Sequence, residues 1–181
     1  MMPGIGLETK YQGFETSAAL CGECEIEGYA SLFGVADRGG DVVAPSAYAA
    51  SLAAMAESGR PVKMLWQHDP AQPIGVWDEL REDARGLFVR GRILTEVRRG
   101  AEALSLMKAG AIDGLSIGYR TVRSEKTTGG RSLLEIDLWE VSLVTFPMLP
   151  EARVATSSQK GDTELVTALA QAFAKARADL A

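Results

Sequence analysis

The chain has 181 residues, which is enough for one domain with a substantial core. Hydrophobic residues make up 46% of it and charged residues 24%, as in ordinary soluble globular proteins. The net charge of -5 and the scattered basic residues argue against a nucleic-acid partner. No apolar run approaches the roughly 20 residues of a membrane span, and no signal peptide is recognisable. We therefore expect a cytoplasmic protein without a membrane partner.

The first third of the chain predicts a polar arm, a strand and a helix. Residues 1–19 carry no periodic pattern, which favours a flexible arm. A strand follows from about Glu23 and ends at the turn 36–41, which is rich in Gly and Asp. An alanine-rich helix is predicted over 45–58, with Gly59 directly after its end.

The middle of the chain predicts three strands and a second helix. The strands cover 62–66, 74–77 and 86–94, which are apolar segments bounded by turn residues. Thr95 can cap a helix that runs to about Ala109. The expected core stripe of this helix consists of Val97, Ala101, Leu104 and Met107.

The last part of the chain predicts a long β-hairpin followed by a tail. The strands of the hairpin cover 115–123 and 132–146, and the turn lies at 126–130. Prolines and the Ser-rich stretch 155–159 separate the hairpin from an amphipathic helix that begins near residue 162. This helix either docks on the same domain or forms a tail that packs on a partner.

About six strands and three helices in a non-alternating order favour an α+β or barrel fold over a parallel βαβ sheet. The chain divides into a flexible N-terminal arm (1–20), a central domain (21–154) and a polar linker with the C-terminal helix (155–181). Cys21 and Cys24 form a lone C-x-x-C pair, and a structural zinc site needs four ligands. We therefore predict no metal or redox chemistry for them.

The chain contains a single histidine, His68, just past a predicted strand end. A histidine at the mouth of a strand can act as a general base for a serine hydroxyl, since free imidazole titrates near neutrality. The alternative is a hydrogen-bonded structural histidine. Any Ser–His chemistry in this chain must use His68.

Ser116 lies in the sequence Gly114-Leu115-Ser116-Ile117-Gly118, which formally matches the G-x-S-x-G nucleophile elbow of α/β-hydrolases. The match fails on order, because that fold places its histidine after the serine. Alternation along the strand puts Gly118 on the face of Ser116, where it would leave open space for a substrate backbone. The alternative is a structural serine.

Glu140 is an acid inside an otherwise apolar predicted strand. Alternation puts it on the face of Leu138, Ser142 and Val144 and predicts that it is partly buried. A buried carboxylate is costly unless it is paired or hydrogen-bonded. An imidazole N–H is one suitable partner, and Glu140 would then be the third member of a Ser–His–acid triad.

Alternatives to this role of Glu140 remain open. Glu140 could form an ion pair with a strand arginine such as Arg90 or Arg92. Asp69 and Asp137 could support the imidazole in its place, although Asp69 is the sequence neighbour of the histidine, which usually gives poor geometry for an orienting carboxylate.

Six stretches carry a resemblance to a known family: Gly28–Phe33, Gly40–Val43, Leu65–Asp69, Gln72–Gly75, Leu106–Tyr119 and Glu135–Arg153. In this collinear order, over about residues 28–154, the chain resembles the prohead (capsid maturation) proteases of tailed bacteriophages. Related proteases occur in phage-derived gene transfer particles, and the sequence does not separate the two.

The resemblance implies a serine endopeptidase with Ser116 as nucleophile, His68 as general base and Glu140 as third member. It implies a mainly antiparallel β-barrel flanked by helices, similar to the herpesvirus assembly proteases. Those use a second histidine as third member, and this chain has none. By the same likeness, Arg153 and the Gly118 region are candidates for binding the oxyanion or substrate.

The resemblance also implies where the protein acts and on what. The expected substrates are scaffold protein, the N-terminal segment of the major capsid protein and the protease's own ends. Cleavage would take place inside the prohead in the host bacterial cytoplasm, with self-association and without a metal or organic cofactor. We expect low activity in dilute solution.

Two rival interpretations remain. The first is a catalytically silent scaffold or capsid-assembly factor on the same fold, with the C-terminal helix as its working part. The second is an esterase on a different fold, which the absence of a histidine after Ser116 disfavours.

Overall fold

The computed structural model describes residues 8–12, 19–20 and 24–146. In order along the chain, the elements of these residues are β1 (Glu8–Gln12), β2 (Ala19–Leu20), β3 (Glu25–Leu32), β4 (Val42–Val43), α1 (Ala49–Ser58), β5 (Lys63–Trp66), β6 (Asp69–Glu82), β7 (Gly86–Ile93), α2 (Arg98–Lys108), β8 (Gly114–Thr127) and β9 (Gly130–Val144). Neither helix of this part of the chain is long and apolar enough to cross a membrane.

The strands form one curled sheet in the order β1-β8-β9-β5-β6-β7-β3-β2, with β4 paired to β9. Most pairs are antiparallel, whereas β4 and β5 each run parallel to β9. The sheet forms a half-barrel, in which β3 comes into contact with β8. The expectation of a mainly antiparallel β fold with flanking helices is confirmed at this level, and the likeness to herpesvirus proteases stays a prediction.

The core is built from the inward-facing residues of the strands and from one face of each helix. In β7 the buried residues alternate with more exposed ones, because successive side chains of a strand point to opposite faces. Helix α1 packs against β9 and ends at Gly59, whose φ of 65° is the left-handed conformation that favours glycine. The predicted end of this helix is therefore confirmed.

Helix α2 differs from its prediction in its start and in its buried face. It begins after Val97, and Thr95 does not cap it, since no side chain makes a cap hydrogen bond there. Its buried residues are Gly100, Ala103, Leu104 and Met107. The predicted stripe is correct for Leu104 and Met107 and wrong for Val97 and Ala101, because Val97 precedes the first helical residue and is exposed, and Ala101 is only partly buried.

The β8–β9 hairpin is the longest pairing in the fold and contains an irregularity near its centre. Gly118 pairs with Glu140, but Tyr119 pairs with Leu138. Trp139 is thus an extra residue on β9, as in a β-bulge, which bends a strand and shifts the phase of its side chains.

The shift decides which residues of β9 face the core. Leu138, Val141 and Leu143 all belong to the core, although strict alternation would separate Leu138 from the other two. Glu140 and Ser142 therefore share the opposite face. The prediction that Leu138 lies on the face of Glu140 is wrong, because alternation does not continue through a bulge.

Two short strands near the N-terminus were not predicted. β1 pairs with β8 over residues 115–119, and β2 pairs with β3. Short polar strands at a sheet edge are held by backbone hydrogen bonds and leave little pattern in the sequence. The division into arm, central domain and tail stays a prediction, and the C-terminal helix lies outside the described residues.

The turn between β6 and β7 depends on one carboxylate, Asp83. It accepts hydrogen bonds from the Tyr29 hydroxyl (2.7 Å), Arg81 (2.7 Å) and the backbone N–H groups of Arg85 (2.8 Å) and Gly86 (3.2 Å). Burial alone would raise the pKa of Asp83, but these hydrogen bonds outweigh burial and lower the pKa to about 2. The ionised carboxylate therefore stabilises the folded state.

Replacing Asp83 with Asn should lower the free energy of unfolding by about 1–2 kcal/mol at pH 7. Because the folded-state pKa is depressed, this contribution is present above the ordinary aspartate pKa and is lost as the pH falls towards 2. Urea unfolding at pH 7 and pH 3 should show the difference from the native protein narrowing at the lower pH.

The matched control is Asp78→Asn, which removes an exposed ion pair with Arg92 on the neighbouring strands. Such a pair contributes less than about 1 kcal/mol. An equal loss in both variants, or a loss for Asp83→Asn that does not depend on pH, would contradict the role of Asp83.

Candidate active site

His68 lies in a two-residue loop between β5 and β6. Trp66 pairs with Asp69 across this loop, and both Gln67 (φ 53°) and His68 (φ 61°) have left-handed backbone conformations. Positive φ at both central residues is the pattern of a type I′ hairpin turn, which normally selects Asn-Gly. Non-glycine residues in this region cost about 1–3 kcal/mol each, and such strain is common at functional sites.

The predicted position of His68 just past a strand end is confirmed, but the turn is tighter than expected. The predicted strands 62–66 and 74–77 left residues 67–73 as the connection, whereas β6 already begins at Asp69. The hairpin therefore returns immediately after the histidine, and this sharp reversal fixes the backbone from which the imidazole projects.

Contacts with β9 hold the strained loop in place. The backbone N–H of Gln67 donates to the Leu143 carbonyl (2.9 Å). The Gln67 side chain donates from Nε2 to Thr145 Oγ1 (2.5 Å) and accepts from the Thr145 N–H (3.4 Å). The amide side chain thus extends the parallel pairing of β5 with β9 by one more residue.

Ser116 lies within β8, opposite Ser142 of β9. It has no exposed surface, and its Oγ is 2.7 Å from Nε2 of His68. This distance is within the range expected for a nucleophile and its base. Strand β8, which lies between β1 and β9 in the sheet, therefore carries the hydroxyl, and the β5–β6 loop carries the imidazole.

Glu140 completes the row of side chains. Its Oε1 is 2.5 Å from Nδ1 of His68, and its Oε2 accepts a hydrogen bond of 2.5 Å from the Ser142 hydroxyl. Glu140 is only 5% exposed, so both carboxylate oxygens need such partners. With an ionised Glu140, Nδ1 carries the imidazole proton, which leaves Nε2 free to accept the proton of Ser116.

The other acids and arginines considered from the sequence have different contacts. Asp69 accepts the Ala71 N–H, and Asp137 binds Arg60 and the indole of Trp139.

The two strand arginines are likewise engaged away from Glu140, because Arg90 pairs with Glu79 and Arg92 with Asp78. Among the residues weighed for the third position, Glu140 is the one in contact with the imidazole. The catalytic roles themselves stay predictions.

Gly118 has a different structural part from the one expected. A Cβ at this position would overlap the Glu140 carboxylate and lie 2.6 Å from its Cδ. The prediction that Gly118 leaves open space for a substrate is wrong, because the side chain of Glu140 fills that space. A backbone N–H of this region as oxyanion donor stays a prediction, and Arg153 lies outside the described residues.

Sequence reasoning assigned no role to Ser142 or Gln67. Ser142 follows Glu140 by two residues, and this spacing already put both on one face, but a serine inside an apolar strand gave no further signal. The role of Gln67 depends on its backbone conformation. In the part of the chain that is described, no three His, Cys, Asp or Glu side chains are grouped as metal ligands would be.

A family model described as caudovirus prohead serine protease matches residues 12–165, which is most of the chain. The chain belongs to this family. The family resemblance seen in the sequence is therefore confirmed.

This prohead protease family member has named relatives among bacteriophage proteins. It is 33% identical over 145 residues to the prohead protease of Enterobacteria phage HK97, a match that covers 78% of this chain and 63% of that protein. It is 34% identical over 142 residues to the capsid polyprotein of Pseudomonas phage PAJU2, covering 74% of this chain and 20% of the polyprotein. The chain therefore spans less than two thirds of the length of either relative.

The fold is similar to that of the capsid assembly protease of bacteriophage T4. The TM-score is 0.63, and the match covers 76% of this chain and 96% of the T4 chain. At 15% sequence identity this likeness shows a shared fold alone.

Replacing Gly118 with Ala should displace the Glu140 carboxylate from His68, because a Cβ cannot share its space. Since the chain has one histidine, the ring resonances of His68 can be followed by NMR without ambiguity. We expect the variant to change the ring resonances of His68 and above all the resonance of its Nδ1 proton, which faces Glu140.

Gly129→Ala is the matched control, since a Cβ there meets nothing within 4 Å. Its His68 resonances should equal those of the native protein. Unchanged His68 resonances in Gly118→Ala would mean that Glu140 does not depend on this glycine.

Proposed function

We propose that this protein is a serine endopeptidase of capsid maturation, with Ser116 as nucleophile, His68 as general base and acid, and Glu140 as the residue that orients the imidazole. The observation that carries the proposal is the continuous row of contacts from Ser116 Oγ through His68 to Glu140 in a member of the prohead serine protease family. This row supports acyl transfer to a serine hydroxyl.

In the proposed reaction each proton is held by a named atom. His68 Nε2 takes the proton of Ser116 as Oγ attacks the peptide carbonyl carbon. Glu140 stabilises the imidazolium through Nδ1, and Nε2 then protonates the leaving amine as the acyl-enzyme forms. In the second half of the reaction, His68 Nε2 takes a proton from a water molecule as that water attacks the acyl carbon. The bond to Ser116 Oγ then breaks, Nε2 returns the proton to Oγ, and the second product leaves with a new carboxyl group.

The complete burial of Ser116 supports a protease with low activity in dilute solution. A peptide carbonyl can reach Oγ only after the groups that surround the serine move. In the proposal, substrate binding drives this movement, and enclosure favours binding because it raises the effective concentration of enzyme and substrate towards mM. The interior of an immature capsid provides these conditions.

The substrates and partners of the proposal follow the family. They are scaffold protein, the N-terminal segment of the major capsid protein and the ends of the protease itself, with self-association inside the prohead in the host cytoplasm. The named relatives, a prohead protease and a capsid polyprotein, support a partner in the capsid. The row of three side chains supports chemistry without a metal or organic cofactor.

Ser116→Ala should abolish cleavage when the chain is co-expressed with a capsid-protein precursor of the same particle. Intact-mass analysis should find defined fragments of the precursor with the native chain and none with the variant. The matched control is Ser124→Ala, which removes an exposed serine from the same strand and should leave the fragments unchanged.

Identical intact masses with the native chain and Ser116→Ala, while shells still assemble, would contradict the protease proposal. That result would favour the catalytically silent assembly factor. Fragments that persist in Ser116→Ala would assign the cleavage to another enzyme or another nucleophile.

Glu140→Gln should lower the rate of cleavage by about 10³–10⁴-fold, because an amide can leave the imidazole in the wrong tautomer. Asp137→Asn is the control acid on the same strand and should change the rate by less than about 10-fold. Single-turnover cleavage, followed by mass spectrometry, measures both. A greater loss with Asp137→Asn would transfer the orienting role to that residue.

A further inference from the structure

Ser142 connects two parts of the candidate site that come from different elements. Its hydroxyl donates to Glu140 Oε2 (2.5 Å), and its oxygen accepts the backbone N–H of His68 (3.2 Å). Ser142 has no exposed surface, so water does not compete for either hydrogen bond. One buried hydroxyl thus joins the acid on β9 to the strained loop that carries the histidine.

We propose that Ser142 is a positioning residue, which fixes the Glu140 carboxylate against His68 Nδ1 and holds the His68 backbone in its left-handed conformation. The inference rests on the proposed function, since positioning matters only if the row of side chains is catalytic. Ser142 acts through its two neighbours, and no step of the reaction takes place on it.

The two oxygens of Glu140 explain why a partner is needed. Oε1 binds the imidazole, and a carboxylate that lacked a partner for Oε2 would be free to rotate away from Nδ1 or to admit water. With Ser142 bound to Oε2, both oxygens are occupied and the plane of the carboxylate is fixed.

The backbone contact explains why a hydroxyl suits this position. The N–H of His68 needs an acceptor, and Oε2 of Glu140 needs a donor. A hydroxyl provides both at once, whereas a methyl group provides neither. Small displacements of a positioned catalytic group can lower the rate by about 100-fold. Loss of the Ser142 hydroxyl should therefore lower the rate at which Ser116 reacts, although Ser142 itself does not react.

The test compares Ser142→Ala and Ser142→Cys with the native chain. The reaction of Ser116 with a fluorophosphonate probe separates the maximal rate of inactivation from probe affinity, and NMR of the single histidine reports on the imidazole directly. We expect Ser142→Ala to lower the maximal rate by about 10- to 100-fold with little change in probe affinity. The ring resonances of His68 should shift as well.

Ser142→Cys separates loss of the hydrogen bonds from a failure to fold, because a thiol is similar in shape to a hydroxyl and is a weak donor and acceptor. It should fold as the native chain does and give a rate between those of the native chain and Ser142→Ala. Ser51→Ala is the matched control, since Ser51 on α1 is also buried and its Oγ accepts a backbone N–H of β9, that of Leu138, without contacting His68 or Glu140. It should lower stability and leave the His68 resonances unchanged.

Native inactivation rates and native His68 resonances in Ser142→Cys and Ser142→Ala would overturn the positioning role. A shift of the His68 resonances in Ser51→Ala as large as that in Ser142→Ala would also overturn it, because the effect would then be a general one on the fold. Absence of Ser116-dependent cleavage in the native chain would overturn the proposed function instead, while the His68 resonances would still decide whether Ser142 positions the imidazole.

Discussion

The candidate site depends on burying one ionisable carboxylate, that of Glu140, within the sheet. A buried carboxylate is tolerated only where both oxygens find partners and where the neighbouring strand leaves room for it. His68 and Ser142 supply the partners, and the missing side chain of Gly118 supplies the room. Strands β5, β8 and β9 and the β5–β6 loop must therefore be in register before the carboxylate of Glu140 can be buried. The fold and the site thus form together.

Two departures from regular backbone geometry create this register. The extra residue Trp139 on β9 changes the phase of the strand, so that Leu138 faces the core while Glu140 and Ser142 face the site. The loop at Gln67 and His68 has a left-handed backbone and reverses the chain sharply. The imidazole therefore lies between the Ser116 hydroxyl and the Glu140 carboxylate. Strained backbone persists only where surrounding contacts determine it, and here β9 provides these contacts.

The sequence predicted the parts of the site that depend on residue type and missed those that depend on geometry. His68, Ser116 and Glu140 could be found because a lone histidine, a serine between glycines and an acid in an apolar strand are each unusual in composition. The face of Leu138 could not be predicted, because a bulge leaves no mark in the pattern of polar and apolar residues.

The sequence correctly indicated that the missing side chain of Gly118 matters. It could not show that Glu140, about twenty residues further along the chain on β9, fills the space beside this glycine. The same limit applies to Ser142, whose importance is that one hydroxyl acts as a donor and as an acceptor.

Replacing buried polar or charged groups by well-packed hydrophobic residues is often neutral or stabilising. A chain selected for stability alone has no reason to keep a carboxylate, two hydroxyls and a left-handed histidine together in its sheet. Sites where local rules are broken are expected to be functional ones, and here the breaks converge on a single imidazole. This convergence supports the proposed catalysis at His68 independently of family membership.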